Sequence, residues 1–186
     1  GGSNLTAEEL KNKQQIVNLL NSLKELCEDA VKNMVLPTAV QKGDTKVEKR
    51  PPEIYKMRLT DSKSYKKFAP YEIIQLVNTN HVQKPRDAPR YFATVRFIFC
   101  VTCEDEQEGS MMLLDFMETV HARLLNDVRV GKLFLLNVNE PLEMLVYTED
   151  SAPFYGGEMV GTFVLPGIER EVDWNGLKSQ QIGKRI

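Results

Sequence analysis

The sequence predicts an α+β fold, a mostly antiparallel sheet with two main helices packed on one face. Two adjacent stretches and the order of the rest predict it. From Tyr91 to Cys103 the odd positions Tyr91, Ala93, Val95, Phe97, Phe99, Val101 and Cys103 are all apolar or aromatic, while the even positions mix Phe92, Ile98 and Cys100 with Thr94, Arg96 and Thr102. Successive strand side chains point to opposite faces, so one face is a continuous core surface and the other is partly covered, as in a central or near-central strand. From Met111 the period changes, and Leu113, Phe116, Met117, Val120 and Leu124 recur at the spacing of one helical face. Weak strands precede this pair and several short strands follow it, with hairpin-like connections. Helices segregated to one side of an antiparallel sheet satisfy that order.

The run Glu104-Asp105-Glu106-Gln107-Glu108-Gly109 separates strand from helix. Its carboxylates resist burial, Gly109 frees the backbone to turn, and Ser110 is placed to cap the helix. The same acids complement the positive end of the helix dipole. Burying the five apolar side chains of the helix contributes roughly 7 to 15 kcal/mol as an upper bound. Strand and helix are therefore expected to share one core.

Leu5 to Met34 predicts a long first helix. Thr6 and Glu9 stand at capping-box spacing, and Leu5 can staple onto Leu10. Ile16, Leu19, Leu20, Leu23, Leu26, Cys27, Ala30, Val31 and Met34 form its apolar stripe, expected to pack on the same sheet. Pro37 closes the helical region, and the polar Gln41 to Pro52 reads as a surface loop or arm. Glu53 to Leu59 is a weak edge strand. Lys63, Lys66 and Lys67, interleaved with Tyr65 and Phe68, fit a solvated hairpin tip better than a nucleic-acid patch, because three lysines are too few.

Tyr71 to Val77 reads as a second strand, and Asn78 to Pro89 as a polar connection to the central one. After the second helix Gly131 is the natural pivot of a turn, and Leu133 to Val138 and Leu142 to Tyr147 read as short strands joined around Asn139-Glu140-Pro141. Phe154-Tyr155-Gly156-Gly157 leads into a strand from Glu158 to Leu165, where Met159, Phe163 and Leu165 share a face, Gly161 permits close approach and Pro166 stops pairing. The expected organisation is one domain: residues 1–36 its N-terminal helix, 37–70 a polar arm or hairpin, 71–166 the sheet and helix core, and 167–186 a C-terminal tail whose one large aromatic is Trp174. The opening Gly1-Gly2-Ser3 reads as the remnant of a cleaved tag.

With 24 basic and 26 acidic residues the formal charge is -2, so no global field recruits nucleic acid or an anionic membrane. No apolar run approaches the roughly 18 residues that span a bilayer, and the expectation is a soluble intracellular protein. Three cysteines cannot all pair within one chain, which fits a reducing compartment. Cys100 and Cys103 form a C-x-x-C, but within a strand residues three apart face opposite sides, so they read as small buried hydrophobes and not as a redox or zinc pair.

Catalytic chemistry is the least favoured class. His81 and His121 have no Cys or Ser partner in a recognisable motif, and neither a nucleophile elbow nor a phosphate loop occurs. The acidic turn lacks the ligand spacing of a calcium loop. No enzyme activity, metal or cofactor is expected.

Taken in order, Asp105-Glu106-Gln107-Glu108-Gly109, the helix from Ser110 carrying Leu114-Asp115-Phe116, then Ala152-Pro153-Phe154-Tyr155-Gly156-Gly157-Glu158-Met159, Leu165-Pro166 and Glu169-Arg170-Glu171 resemble small structural proteins of long-tailed bacteriophages and prophages, in particular the tail-terminator, or tail-completion, family. The likeness runs from Tyr71 to Val172. The arm from Gln41 to Lys67 and the segment from Gly167 to Ile186 depart from the family pattern.

The resemblance implies a tail-terminator-like fold and a non-enzymatic role in the virion tail, assembled in the bacterial host cytoplasm. Its partners would be copies of itself in a ring, commonly hexameric, together with the tail-tube protein and the head-tail connector. Candidate interface residues are Glu104, Asp105, Glu106 and Gln107 in one loop, Phe154 and Tyr155 as aromatic anchors in another, with cover of their own core as the equal alternative for these two, and Trp174. Other connector or minor tail components, or a non-viral adaptor that recruits a peptide along a sheet edge, are the alternatives.

Overall fold

A computed structural model describes residues 14–39 and 47–167. Among the described residues the first helix, α1, spans Gln15–Val31, and the part of the expected helix from Leu5 to Lys13 lies outside them. Gln14, its N-cap, takes a left-handed conformation at φ 53°, so α1 starts at Gln15, where the apolar stripe alone gives no start signal. The Thr6 to Glu9 box and the Leu5 staple lie outside the described residues. The stripe itself is buried as expected, with Leu19, Leu20, Leu23, Cys27 and Val31 inside and Ile16, Leu26, Ala30 and Met34 packed at its margin.

Two short strands, β1 (Leu36–Pro37) and β2 (Lys49–Arg50), pair antiparallel. Strand β3 (Glu53–Lys56) follows at the edge of the main sheet and runs parallel to β4 (Tyr71–Val82). A parallel pair needs a crossover. That crossover is a 3-10 segment from Ser62 to Phe68, so the lysine-rich stretch is no hairpin tip. Asp61 accepts from the Lys63 amide at its start. The Arg50 guanidinium ties the arm to the crossover's end, donating to the carbonyls of Phe68 and Pro70 at 2.8 and 3.1 Å.

Strand β4 runs on to Val82, where a polar connection was expected. It bulges between Leu76 and Asn78 and then pairs with β5 (Arg90–Thr102) as a projecting hairpin. Residues 78–82 are exposed on both faces, so no apolar alternation marks them as a strand. Helix α2 (Glu106–Asp127) leads to β6 (Arg129–Val130), β7 (Phe134–Leu136), β8 (Glu143–Val146) and β9 (Phe154–Leu165). The strand order is β3-β4-β5-β9-β7-β6, and β8 also pairs with β9. Every pairing except that of β3 with β4 is antiparallel.

Strand β5 occupies the centre, flanked by β4 and β9 along nearly its whole length. Its odd residues Ala93, Val95, Phe97, Phe99 and Val101 join both helices in one hydrophobic cluster. Phe99 meets Phe116 of α2 edge to face at 4.9 Å, a favoured aromatic geometry. A smaller cluster of Leu59, Ala69, Tyr71, Ile73 and Cys100 gathers on the sheet's opposite face. The fold is thus α+β with a mostly antiparallel, curled sheet.

Strand β9 begins at Phe154, so Gly156 and Gly157 are paired strand residues and not a lead-in. Packing explains the glycines. A Cβ at Gly157 would stand 2.6 Å from Met117 Sδ and 2.8 Å from the Leu145 carbonyl, while one at Gly161 would stand 2.6 Å from Leu142 Cδ1. Glycine there lets β8 and α2 close over β9.

Candidate functional site

Of the residues marked by the sequence, Glu104 to Gln107 and Tyr155 come together around the start of α2. Asp105, not Ser110, is its N-cap: the Asp105 carboxylate accepts from the Glu108 amide at 2.8 Å and satisfies one of the helix's orphan donors. Ser110 lies inside the helix and donates its hydroxyl to the Glu106 carbonyl at 2.7 Å. Gly109 is a buried first-turn residue and not a turn pivot. A Cβ there would come within 2.3 Å of the Tyr155 ring.

Glu104, Asp105, Glu106 and Gln107 are all exposed, and the acids stand at the positive end of the helix. Tyr155 is only 5 % exposed and belongs to the main core, so it is not an exposed anchor. The close approach of Gly109 draws its ring inward. Burial, then the negative field of Glu106, Cys103, Asp105 and Glu104, raise the pKa of its phenol. Phe154 is half-buried against the smaller cluster, with Lys66 Nζ 5.4 Å from its ring centre. The two segments lie side by side, as the start of α2 and the start of β9 and not as loops, and the Cys103 amide just before the first donates to the Pro153 carbonyl just before the second at 2.8 Å. Trp174 lies outside the described residues.

Cys100 is buried on the sheet face away from the helices, where burial pushes its thiol up to about 11. Cys103 is half-buried past the strand end, with its sulfur 3.9 Å from Glu108 Oε2. The pair therefore serves two different surroundings, as strand alternation requires. His121 Nε2 lies 3.1 Å from the Leu142 carbonyl, and the His81 ring stacks edge-on against Tyr91 at 5.1 Å. Among the described residues no group of three or more His, Cys, Asp or Glu is placed to hold a metal ion, and no helix is long and apolar enough to cross a membrane.

Sequence reasoning passed over Glu72. It lies on β4 with the parity of Ile74, fully buried on the helix side, and among the described residues neither carboxyl oxygen has a partner of good hydrogen-bonding geometry. Burial raises its pKa to about 8, against a smaller lowering by the Cys27 thiol. The same surroundings push the Cys27 thiol upward, chiefly through burial and then through Glu72. At neutral pH the Glu72 carboxyl is therefore mostly protonated. The signal was legible: an acid at a position whose strand neighbours face the core.

Two open sheet edges complete the candidate surface. Among the described residues no strand pairs with the outer side of β3 or with the outer side of β8. A groove of about 480 Å³ runs along β3, lined by Lys24, Glu28, Pro51, Glu53, Ile54 and Tyr55. At β8, Leu145 is 52 % and Met144 38 % exposed. Compared with models of protein families and with curated proteins, the chain matches none.

Proposed function

We propose that this chain is a structural protein of a long-tailed phage or prophage virion, a tail terminator that forms a ring, caps the tail tube and joins it to the head connector. The supporting observation is that the separate sequence pieces behind the resemblance are neighbours in space. Asp105 to Gly109 and Ala152 to Met159 meet through Gly109 beneath Tyr155, and just before the first piece the Cys103 amide donates to the Pro153 carbonyl of the second. Around them stand an exposed acidic helix start and sheet edges that have no strand partner among the described residues, which suit contacts between subunits. On this reading the protein is non-enzymatic, works in the virion tail and assembles in the host cytoplasm.

The test is assembly of tail-tube protein with and without this chain, followed by electron microscopy. Tubes of arrested length carrying a ring at one end are the expected result. Unchanged tube length, with no ring at any protein concentration, would overturn the proposal. The groove along β3 gives the adaptor alternative a specific footing, because an extended peptide adds to an open edge in the same way. Display of random peptides against the full chain separates the two, since an adaptor selects a sequence motif and a ring subunit does not.

A further inference from the structure

We infer that the ring closes through the sheet: the β3 edge of one copy pairs antiparallel with the β8 edge of the next. This rests on the ring-forming reading and names its subunit contact. The two edges lie on opposite sides of β4, β5 and β9, and each is four residues long. Direction follows from the ladder. β3 is parallel to β4, and β4, β5, β9 and β8 alternate in sense, so β8 is antiparallel to β3. Copies repeated side by side in the same orientation therefore bring these edges together as an antiparallel pair.

The backbone phase agrees. On β3 the Glu53 and Met57 amides donate inward, to Pro70 and Ile74 at 3.2 and 2.7 Å, so Ile54 presents its amide and carbonyl outward and Lys56 its amide, while the Lys56 carbonyl already accepts from the Arg58 amide at 2.8 Å. On β8's side the Tyr147 amide donates inward to Gly156 at 2.9 Å, so Met144 and Val146 present theirs outward. Faces agree as well. Ile54 packs under the helices and Lys56 reaches Asn21 of α1, while Met144 is in register with buried Met159 and Val146 packs on the main core. Both conditions hold when even positions stand opposite even positions, and the alignment that overlaps all four residues of each edge sets Ile54 opposite Val146 and Lys56 opposite Met144. It also sets Tyr55 opposite Leu145.

Charge selects unlike edges. From Lys49 to Arg58 the chain carries Lys49, Arg50, Lys56 and Arg58 against the single acid Glu53. From Val138 to Glu158 it carries Glu140, Glu143, Glu149, Asp150 and Glu158 and no basic residue. Two β8 edges would repel, and so would two β3 edges, whereas β3 against β8 is attractive. A contact between unlike surfaces is heterologous, the kind that generates a ring when its rotation closes. The groove along β3 gives the incoming strand room.

The experiment uses the full chain and two charge-reversal sets at exposed positions, Glu143→Lys with Glu149→Lys, and Lys56→Glu with Arg58→Glu. Circular dichroism melts check that both fold, and light scattering after size exclusion reads the assembly. Each set is expected to raise the concentration needed for assembly tenfold or more, and mixing the two variants is expected to restore oligomers, since each then meets a partner of opposite charge. A Tyr55→Cys, Leu145→Cys variant is expected to form intermolecular disulfides. Oligomers that ignore both charge sets would overturn this contact while leaving a ring possible through another surface. A wild-type chain that stays monomeric at every concentration and salt would overturn the contact and the ring together.

Discussion

The Tyr155 ring lies against the backbone of Gly109, so closely that a Cβ on Gly109 would stand 2.3 Å from Tyr155 Cε2. This contact joins the first turn of α2 to the first residues of β9. Gly109→Ala is expected to destabilise the protein by about 1 to 2 kcal/mol, because overpacking outweighs the gain of roughly 1 kcal/mol in helix propensity. In a Tyr155→Leu background the same change is expected to be neutral or stabilising. A double-mutant cycle from urea denaturation measures the coupling, and additive effects would contradict the contact. Tyr155→Phe is expected to cost little, since the phenol oxygen is buried with no hydrogen-bond partner among the described residues.

Glu72 makes stability depend on pH in an unusual direction. Its carboxyl titrates near 8 when folded against 4.5 for the free group, so between those values the unfolded chain releases a proton that the folded chain keeps. This contribution is complete below pH 4.5 and is lost as pH rises toward 8. The loss is on the order of 4 kcal/mol across the window. Denaturation midpoints measured from pH 5 to 9 are expected to fall more steeply in the wild type than in Glu72→Gln, which has nothing to ionise. Parallel profiles would place Glu72 in a more polar setting.

Capping separates Asp105 from its acidic neighbours. Asp105→Ala is expected to cost about 1 kcal/mol, because it removes the oxygen that receives the Glu108 amide, whereas Asp105→Ser retains most of the stability. Gln107→Ala, at an exposed site, is expected to stay within about 0.5 kcal/mol of wild type. Thermal melts on the variants check this, and equal losses at both positions would remove the distinction.

Gly157→Ala is expected to loosen β8 from β9, since the added carbon meets the Leu145 carbonyl at 2.8 Å and backbone yields less readily than a side chain. Faster hydrogen exchange at the Tyr147 amide, which donates to Gly156 at 2.9 Å, reads the effect. Unchanged exchange would mean that the strands accommodate the methyl group.

Some of this architecture was written in the amino acids. The alternation from Tyr91 to Val101 placed the central strand, because a strand covered on one face must repeat its apolar residues every second position. The spacing of Leu113, Phe116, Met117, Val120 and Leu124 placed the helix face, for the corresponding reason at 3.6 residues per turn. Those periods are local, so burial stamps them on the chain.

Only the tertiary structure decided what depends on a distant neighbour. Gly109 resembled a turn residue until Tyr155 came to lie over it, and the tip of β4 beyond Val77 carries no apolar pattern because its ladder with β5 projects into solvent. The parallel course of β3, the burial of Glu72 against Cys27 and the open edges at β3 and β8 all arise from pairings between residues far apart in the chain. Hydrogen bonding between strands is satisfied by any backbone, so it leaves little trace in side-chain identity, and the fold had to bring the partners together before either edge could be recognised as unpaired.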